Sequence, residues 1–313
     1  MKNKFIIGSR GSELALWQAN FIKGELEKNN ENISVEIKII KTKGDKITDV
    51  ALSKIGDKSL FTKELENELL KNEIDIAVHS LKDLQTQLPK GLKLAAVTER
   101  HPVEDVLIAK EKNVTLKTIK ENGVVATGSL RRRSQLLNLR PDINVVELRG
   151  NVPTRIEKFL ESDWDAIILA RAGVERLGLE KNISSIISKN EILPAVGQGA
   201  LGIEIREPDK DTAGILKPIH DQETLFAVLA ERSLLRTLEG GCQVPIGTYS
   251  EIKGETLYLQ AYVGSVNGKI AFRDNISGKK EDAEKLGNEL ANKLMNAGAK
   301  KILDEIFKTV RTK

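Results

Sequence analysis

Short apolar runs alternate with amphipathic helical stretches through the first two thirds of the chain. KFIIGS (4–9) predicts a strand, and the next stretch, ELALWQANFIKGELEK (13–28), places its apolar residues near helical spacing. The same reading predicts a helix at 61–71 and strands at 33–40, 74–78 and 92–97. The intervening segment 42–60 is polar and contains glycine, which favours a mobile loop.

A second series of this kind starts near residue 105. Apolar strands are predicted in DVLIA, GVVATG, INVVEL and DAIILA, and helices at 115–121, 129–139 and 153–161. Alternation of strands and helices is typical of βα units that form mostly parallel sheets covered by helices. The stretch LPAVGQGALGIEIRE (193–207) is interpreted as a crossing back toward the first series.

The pattern changes after a predicted helix at 222–238. VPIGTYSEI, TLYLQAYVGS and KIAFRDNISG predict an antiparallel meander, and helical stretches follow at 280–297 and 299–310. The fold class is therefore α/β with three domains: two periplasmic-binding-protein-like α/β lobes and a smaller α+β domain with an antiparallel sheet. The predicted boundaries are 1–100 with 198–217 for the first lobe, 104–194 for the second, and 220–313 for the α+β domain.

Length and composition agree with a multidomain globular protein. The 313 residues exceed the size at which a single core stops growing, and 40% hydrophobic with 30% charged residues is ordinary for such proteins. The single cysteine excludes an intramolecular disulfide and fits a reducing compartment. The N-terminal stretch lacks the long apolar segment of a signal peptide, and no apolar run is long enough to span a bilayer. We expect a cytoplasmic protein.

Charge and histidine placement narrow the classes of partner. A net charge of +4 is too small to indicate a nucleic-acid partner. The three histidines, His79, His101 and His220, are scattered without metal-ligand spacing, so no metal is expected. More informative is a group of arginines in the second series: Arg131, Arg132, Arg133, Arg149, Arg155, Arg171 and Arg176.

Two stretches have the form of anion sites. GSRGSELA (8–15) leads from a strand into a helix, with Ser12 as a plausible N-cap and Arg10 beside it. An ordinary turn with a surface arginine explains this stretch equally well. ATGSLRRRSQLL (126–137) repeats the arrangement, and its three cations oppose the dipole at a helix N-terminus unless an anion offsets them. The second stretch therefore favours ligand binding.

Two further stretches carry reactive side chains. AVHSLKDL (77–84) places Lys82 and Asp83 after a buried strand, where α/β folds hold working residues, although a surface ion pair is the commoner explanation. LEGGCQVPIG (238–247) holds Cys242, and the glycines before it leave room for a large group on the sulfur. The alternative for Cys242 is a small apolar residue in a core.

Together these stretches indicate a cleft for a ligand with many anionic groups. The planar guanidinium suits bidentate binding of carboxylate or phosphate. No Walker-type loop is present, and the GQGALG run (197–202) is a weak dinucleotide signal because of its place in the crossing. A polycarboxylate is favoured over a nucleotide.

Six motifs in consistent order resemble the porphobilinogen deaminase (hydroxymethylbilane synthase) family. They are GSRGSELALWQA, AVHSLKDL, TGSLRRRSQL, LRGNVPTR, LPAVGQGALGIE and LEGGCQVPIG, and they span about residues 5 to 250. The resemblance implies a deaminating transferase of tetrapyrrole (haem, porphyrin) biosynthesis. Such an enzyme condenses four porphobilinogen molecules head to tail and releases hydroxymethylbilane and ammonia. It also implies a covalent dipyrromethane cofactor on Cys242, because this residue matches the family's cofactor cysteine.

The resemblance also implies roles for single residues. Asp83 becomes the catalytic residue, which hydrogen-bonds pyrrole N–H groups, stabilises developing positive charge and is also a candidate for moving protons. The implied cofactor contacts, besides Cys242, are Lys82, Asp83, Thr127, Ser129, Arg131 and Arg132. The implied substrate contacts are Arg10, Ser12, Arg149, Arg155, Arg176 and Gln198, with Lys58 reaching in from the loop. Arg133 and Arg171 are left outside the primary site, because neighbours on a helix cannot all face one ligand. The family precedent implies a monomer.

The chain departs from the family pattern at three places. Gln85 stands where the family commonly has proline, His101-Pro102-Val103-Glu104-Asp105 replaces a more usual Asp-Pro-Arg-Asp, and the loop around 57–59 has fewer glycines.

Two other classes of protein remain as alternatives. A two-lobed solute-binding protein would need no thiol, and an enzyme with Cys242 as turnover nucleophile would need a positioned base that no histidine motif supplies.

Overall fold

The computed structural model describes residues 2–42, 44, 62–239 and 244–311. They form two compact units. The first contains the described residues up to 44 together with 62–101 and 199–225, and the second contains 102–198 and 226–311. The predicted mobile loop, Lys58 and Cys242 lie outside the described residues, apart from the loop positions 42 and 44. The three-domain division stays a prediction.

The structure consists of strands and helices with the following bounds. The strands are β1 (Lys4–Ser9), β2 (Ser34–Ile39), β3 (Ile76–Ser80), β4 (Leu92–Val97), β5 (Asp105–Ala109), β6 (Val124–Ala126), β7 (Asn144–Val146), β8 (Ala166–Ala170), β9 (Ser185–Ile187), β10 (Leu201–Arg206), β11 (Ile246–Lys253), β12 (Thr256–Gly264) and β13 (Ala271–Lys279). The helices are α1 (Glu13–Asn29), α2 (Lys63–Leu70), α3 (Leu130–Leu139), α4 (Val152–Glu161), α5 (Arg171–Arg176), α6 (Lys210–Leu216), α7 (Gln222–Thr237), α8 (Ala283–Leu294) and α9 (Lys300–Arg311).

The first unit is built on a mixed five-stranded sheet in the order β2-β1-β3-β10-β4. β1 is parallel to β2 and β3, whereas β10 is antiparallel to both β3 and β4. Helix α1 begins at the N-cap Ser12, whose side chain accepts from the amide of Ala15, and it buries Ile22 and Leu26 in the core. The expectation of mostly parallel sheets is therefore wrong for this unit, because the returning segment 201–206 pairs antiparallel in the sheet interior.

The second unit contains another mixed five-stranded sheet, in the order β7-β6-β8-β5-β9. β6 is parallel to β7 and β8, and β5 is antiparallel to β8 and β9. The helix predicted at 115–121 is wrong, because this stretch forms turns. The amides of Thr118 and Ile119 bond to the carbonyl of Thr115, but the chain turns again at 120–123, where Asn122 has a φ of +57°, so only a single turn forms.

The same unit holds the three-stranded antiparallel sheet β11-β12-β13, which confirms the predicted meander. Helices α7, α8 and α9 contribute Leu234, Leu290 and Leu303 to the core on this sheet. Glu231 of α7 is fully buried and accepts from the amides of Gly197 and Ser250 at 2.7 and 3.0 Å. A carboxylate thus ties the segment before β10 to strand β11.

Candidate functional site

A small cavity of about 70 Å³ lies in the first unit, at the carboxyl ends of β1 and β3. These strands are parallel neighbours, so the residues that follow each of them meet at one edge of the sheet. The cavity is lined by Arg10, Ser12, Leu14, Ala15, Gln18, Thr62, Leu65, Val78, His79, Ser80 and Asp83. Three of the predicted site residues are thereby brought together: Arg10, Ser12 and Asp83.

Local structure explains how these side chains are placed. Arg10 and Ser12 lie in the turn between β1 and α1, and Asp83 ends the 3-10 turn Leu81–Asp83 that directly follows β3. Gln18 of α1 donates from Nε2 to the hydroxyl of Ser80 at 2.7 Å, which joins the helix to the end of β3. Asp83 is exposed, and Lys82 beside it is half-buried. A carboxylate is thus available to a ligand at the rim of a cationic turn.

The cavity also contains a histidine that the motif analysis leaves without a role. Nε2 of His79 lies 3.0 Å from Oε2 of Glu204 on the adjacent strand β10, and both side chains are buried. Sequence reasoning could not pair them, because 125 positions separate the two residues. The signal for His79 in the sequence was its place in the motif AVHSLKDL, three residues before Lys82.

In the second unit, two predicted cofactor ligands converge on a carboxylate from the chain itself. Nη2 of Arg132 donates to Oδ1 of Asp105 at 2.7 Å, and Nη1 of Arg131 lies 2.8 Å from Oδ2. All three side chains are buried. Burial alone would raise the pKa of Asp105, but the charges of Arg131 and Arg132 outweigh it and hold that pKa well below its usual range.

This arrangement changes the interpretation of the arginine-rich helix start. Because the helix dipole is unfavourable for cations at this end, the sequence predicted an anionic ligand beside the arginines. The anion that the structure supplies is Asp105, the first residue of β5. Gln198 joins the group, donating from Nε2 to Oδ1 of Asp105 at 2.9 Å and to the carbonyl of Val103 at 2.7 Å. Asp105 was noticed in the sequence only as part of a departure from the family pattern. The available signal was a charged residue at the start of a buried strand.

Thr127 and Ser129 shape the turn that leads into α3. The amide of Ser129 donates to the hydroxyl of Thr127 at 3.3 Å, and the hydroxyl of Ser129 caps the helix by accepting from the amide of Arg132. Thr127 is buried, whereas Ser129 is half-buried. Both predicted cofactor contacts therefore have a structural task as well.

The remaining arginines differ in burial. Arg149 and Arg155 are half-buried, and Nε of Arg155 donates to the carbonyl of Gly150 at 2.7 Å. Arg176 is buried, and burial lowers its pKa to about 10. Arg133 donates to the carbonyl of Val145 at 3.0 Å, and Arg171 pairs with Glu175 at 2.6 Å. The two arginines left outside the primary site are thus occupied within the second unit.

Two predicted site residues, Lys58 and Cys242, lie outside the described residues. Among the residues described, no cluster of histidine, cysteine or acidic side chains has the arrangement of a metal site. Within that same part of the chain, none of the helices combines the length and the apolar character that crossing a membrane requires.

An α/β framework with cationic side chains after its strand ends is typical of proteins that bind small anionic ligands. Residues 5–214 match the family model described as porphobilinogen deaminase, dipyromethane cofactor binding domain, and residues 225–296 match the porphobilinogen deaminase C-terminal domain. The chain therefore belongs to the porphobilinogen deaminase family. This family consists of transferases of tetrapyrrole biosynthesis that carry a dipyrromethane cofactor.

Curated relatives match along the full length. The chain is 53% identical over 310 residues to porphobilinogen deaminase of Chloroherpeton thalassium, covering 98% of each chain. It is 50% identical over 306 residues to that of Carboxydothermus hydrogenoformans, again covering 98% of each. Among solved structures, the methionine-binding protein MetQ matches with a TM-score of 0.45 at 12% identity, covering 74% of this chain and 95% of that chain. A TRAP periplasmic solute-binding protein from Desulfovibrio salexigens matches with a TM-score of 0.43 at 11% identity, covering 70% and 73%.

The residues present fit a dipyrromethane group. Nε of Arg131 and Nε of Arg132 are buried and have no hydrogen-bond partner among the described residues, although their terminal nitrogens contact Asp105. Buried donors of this kind carry a desolvation cost until an acceptor reaches them. Carboxylates on a bound pyrrole chain are acceptors of the required kind, and the sequence holds one thiol for covalent attachment.

Proposed function

We propose that this protein condenses four porphobilinogen molecules head to tail on a covalent dipyrromethane primer and releases hydroxymethylbilane and ammonia. Family membership supports the reaction. The observation that carries the proposal for this chain is the shared cavity of Arg10, Ser12 and Asp83, which puts a carboxylate beside anion-binding groups. A pyrrole with an acetate and a propionate needs both, since its N–H groups donate and its side chains are anionic.

The cofactor is proposed to be held by one covalent bond and by a set of polar side chains. Cys242 supplies the thioether, and when bound the dipyrromethane supplies the primer to which substrate is joined. Its proposed contacts are Lys82, Asp83, Thr127, Ser129, Arg131 and Arg132. In each of the two arginines, one terminal nitrogen contacts Asp105, whereas the Nε–H group has no partner among the described residues and is the proposed donor to the cofactor.

Asp83 is the proposed catalytic residue. Its carboxylate accepts hydrogen bonds from pyrrole N–H groups and stabilises positive charge that develops on the substrate when the aminomethyl nitrogen departs. The exposure of Asp83 at the end of a short turn leaves its oxygens accessible to a ligand. The residue before Asp83 is Lys82, so a cationic residue is its neighbour in the sequence.

The substrate carboxylates are proposed to bind cations and hydroxyl or amide groups. These residues are Arg10, Ser12, Lys58, Arg149, Arg155, Arg176 and Gln198. Arg176 is buried, and its planar guanidinium is of the kind that binds carboxylates in a bidentate manner. We further propose a monomer that acts in the cytoplasm, without nucleic-acid or metal partners, in line with the single cysteine and the modest net charge.

Intact-mass measurement of the purified protein tests the proposal. Protein made in cells that supply porphobilinogen should exceed its sequence mass by two porphobilinogen-derived rings, and Cys242→Ser should show the sequence mass alone. Incubation with porphobilinogen should then add further ring increments and release ammonia. An unmodified wild-type chain that stays unmodified and inactive after incubation with porphobilinogen would overturn the proposed function.

A further inference from the structure

We propose that His79 transfers a proton in the reaction proposed above and that Glu204 is its positioning residue. The inference rests on the proposed function and assigns to these two residues roles that the resemblance to the family does not imply. It starts from a buried pair: Nε2 of His79 lies 3.0 Å from Oε2 of Glu204, and the two side chains are 5% and 0% exposed.

The pairing follows from the sheet register. In the antiparallel ladder of β3 and β10, His79 lies opposite Gly202, and Glu204 lies opposite Ala77. His79 and Glu204 are therefore diagonal neighbours on one face of the sheet, within reach of long side chains. β10 enters the sheet between β3 and β4, so this contact exists only because of that crossing strand.

The buried pair of His79 and Glu204 is unfavourable for the stability of the folded protein. Glu204 is fully buried, and its second oxygen, Oε1, has no hydrogen-bond partner among the described residues. A buried carboxylate with a single hydrogen bond has lost water without full compensation, and apolar residues of similar volume would commonly serve the core as well or better. Retention of such a group beside a cavity is typical of a functional site.

The geometry assigns different tasks to the two ring nitrogens. In the proposed arrangement, the carboxylate of Glu204 accepts from Nε2–H of His79. Nδ1 is then the nitrogen left for proton exchange with a ligand. His79 lines the same cavity as Arg10 and Asp83, where substrate is proposed to bind. A buried carboxylate that fixes one imidazole nitrogen while the other serves the reaction is an arrangement shared by several classes of enzyme.

The proposed chemistry needs such a group. In each condensation, the C–N bond of the substrate aminomethyl group breaks and ammonia leaves with the bonding electron pair. A C–C bond forms at a pyrrole α-carbon, which then releases its proton as the C–H electron pair returns to the ring. We assign that proton to Nδ1 of His79, which passes it to the departing ammonia or to water. The sum is one ammonium ion for each bond formed, with no oxidation or reduction.

Asp83 and His79 then have separate roles. Asp83 stabilises positive charge through hydrogen bonds, and an acceptor that has just taken a proton would lose the negative charge on which that stabilisation depends. An imidazole ring can take up a proton at one nitrogen and release it again, which suits repeated transfer. Dividing the two tasks between two groups lets the charge of Asp83 persist through every cycle.

Replacement of His79 by glutamine is the decisive variant. The amide nitrogen of Gln can still donate to Glu204, so a purely structural His79 would tolerate His79→Gln with near-normal turnover. A proton-transfer role predicts roughly 10²-fold slower turnover. The cofactor increment on Cys242, read by intact mass, and the thermal midpoint should stay near the wild-type values, which excludes loss of folding or of the primer as the cause.

Glu204→Gln tests the positioning role. Its side-chain oxygen can still accept from Nε2–H, but the charge that orients and supports the ring is removed, and we expect turnover roughly 10- to 100-fold lower. Asp75→Asn is the matched control. Asp75 is another buried carboxylate of the first unit, located just before β3 at the end away from the cavity, where it binds Arg206 at 2.9 Å and the amide of Ile6 at 2.9 Å. This variant should lose stability and keep its turnover per folded molecule.

A direct readout comes from nitrogen-15 NMR of histidine-labelled protein, since the chain has three histidines and His79→Gln identifies the signal of interest. Nε2 of His79 should carry a proton in the resting protein, and porphobilinogen should shift the Nδ1 signal while leaving the His220 signals in place. Near-normal turnover of His79→Gln, or an Nδ1 signal unmoved by substrate in active protein, would overturn this inference and leave the proposed function intact. Inactive wild-type protein without the cofactor increment would instead overturn the proposed function.

Discussion

Arg132 donates from Nη2 to Oδ1 of Asp105 at 2.7 Å, and this contact joins the start of helix α3 to the first residue of strand β5. Nη1 of Arg132 also donates to the carbonyl of Ile168 on β8 at 2.9 Å. One guanidinium therefore connects three elements of the second unit. Two residues implied to hold the cofactor, Arg131 and Arg132, are thus anchored in the protein interior before any ligand is considered.

Acid should weaken the second unit through Asp105. Its pKa in the folded protein is held below the unfolded value of about 3.9, so its contribution to stability is complete above about pH 4 and is lost as the pH falls further. Asp105→Asn leaves two buried cations unpaired and should lower the free energy of unfolding at pH 7 by about 3–5 kcal/mol. Urea unfolding of both proteins from pH 7 to pH 3 checks this. The difference between them should shrink in acid, and a constant difference would contradict the assigned pKa shift.

Lysine should not replace arginine at position 131. Nη1 of Arg131 donates to the carbonyl of Leu193 at 2.7 Å while the same guanidinium pairs with Asp105, and a single ammonium cannot reproduce this planar geometry. We expect Arg131→Lys to lower stability by about 1–3 kcal/mol and to reduce turnover. Arg133→Lys is the control, since Arg133 is half-buried and bonds one carbonyl, and it should stay within about 0.5 kcal/mol of wild type. Equal effects at the two positions would argue against the geometric explanation.

Asp83→Asn should separate catalysis from folding. The amide keeps the size of the side chain but loses the negative charge, so we expect turnover to fall by roughly 10²–10³-fold. Asp83 is exposed, and thermal unfolding should therefore change little. Steady-state ammonia release, together with intact mass to verify the cofactor, measures the effect. Near-normal turnover would remove Asp83 from the catalytic role.

Gly199→Ala should be much more damaging than Gly91→Ala. Both glycines have a φ of +91°, so each substitution carries the left-handed strain of about 1–2 kcal/mol. A Cβ on Gly199 would also lie 2.4 Å from the carbonyl oxygen of His101, whereas on Gly91 it meets only the tip of Leu70 at 3.4 Å. Urea unfolding should show roughly 1–3 kcal/mol more destabilisation for Gly199→Ala. Matching losses would mean that the backbone at 101 yields easily.

Local pattern was sufficient for much of the fold. The apolar runs gave the bounds of β1, β4 and β5 without error, and the alternating segments near the C-terminus predicted β11 to β13 to within a few residues. In these strands the period of apolar residues and the neighbouring turn residues agree with the tertiary structure. The helix predicted at 115–121 failed because the chain turns at Asn122, which has a φ of +57°, and periodicity does not register such a turn.

The charged groups of the site were predicted only in part, for a different reason. The motifs pointed to Arg10, Asp83 and Arg131, whose neighbours in sequence carry the signal. Asp105 and Glu204 act through partners far along the chain, and their roles depend on how strands are ordered in a sheet. Nothing within a short window distinguishes a carboxylate that will be buried against arginine or histidine from one at the surface.

The place of β10 has a consequence for how the protein is made. This strand lies between β3 and β4, yet it follows them by more than a hundred positions in the chain. During translation, the nascent first lobe therefore emerges with a gap in the middle of its sheet, and both strands beside the gap present unpaired edges. The five-stranded sheet can be completed only after β10, which ends at Arg206, has emerged from the ribosome. Until then, the edges of β3 and β4 stay unpaired while the residues between β4 and β10 are synthesised.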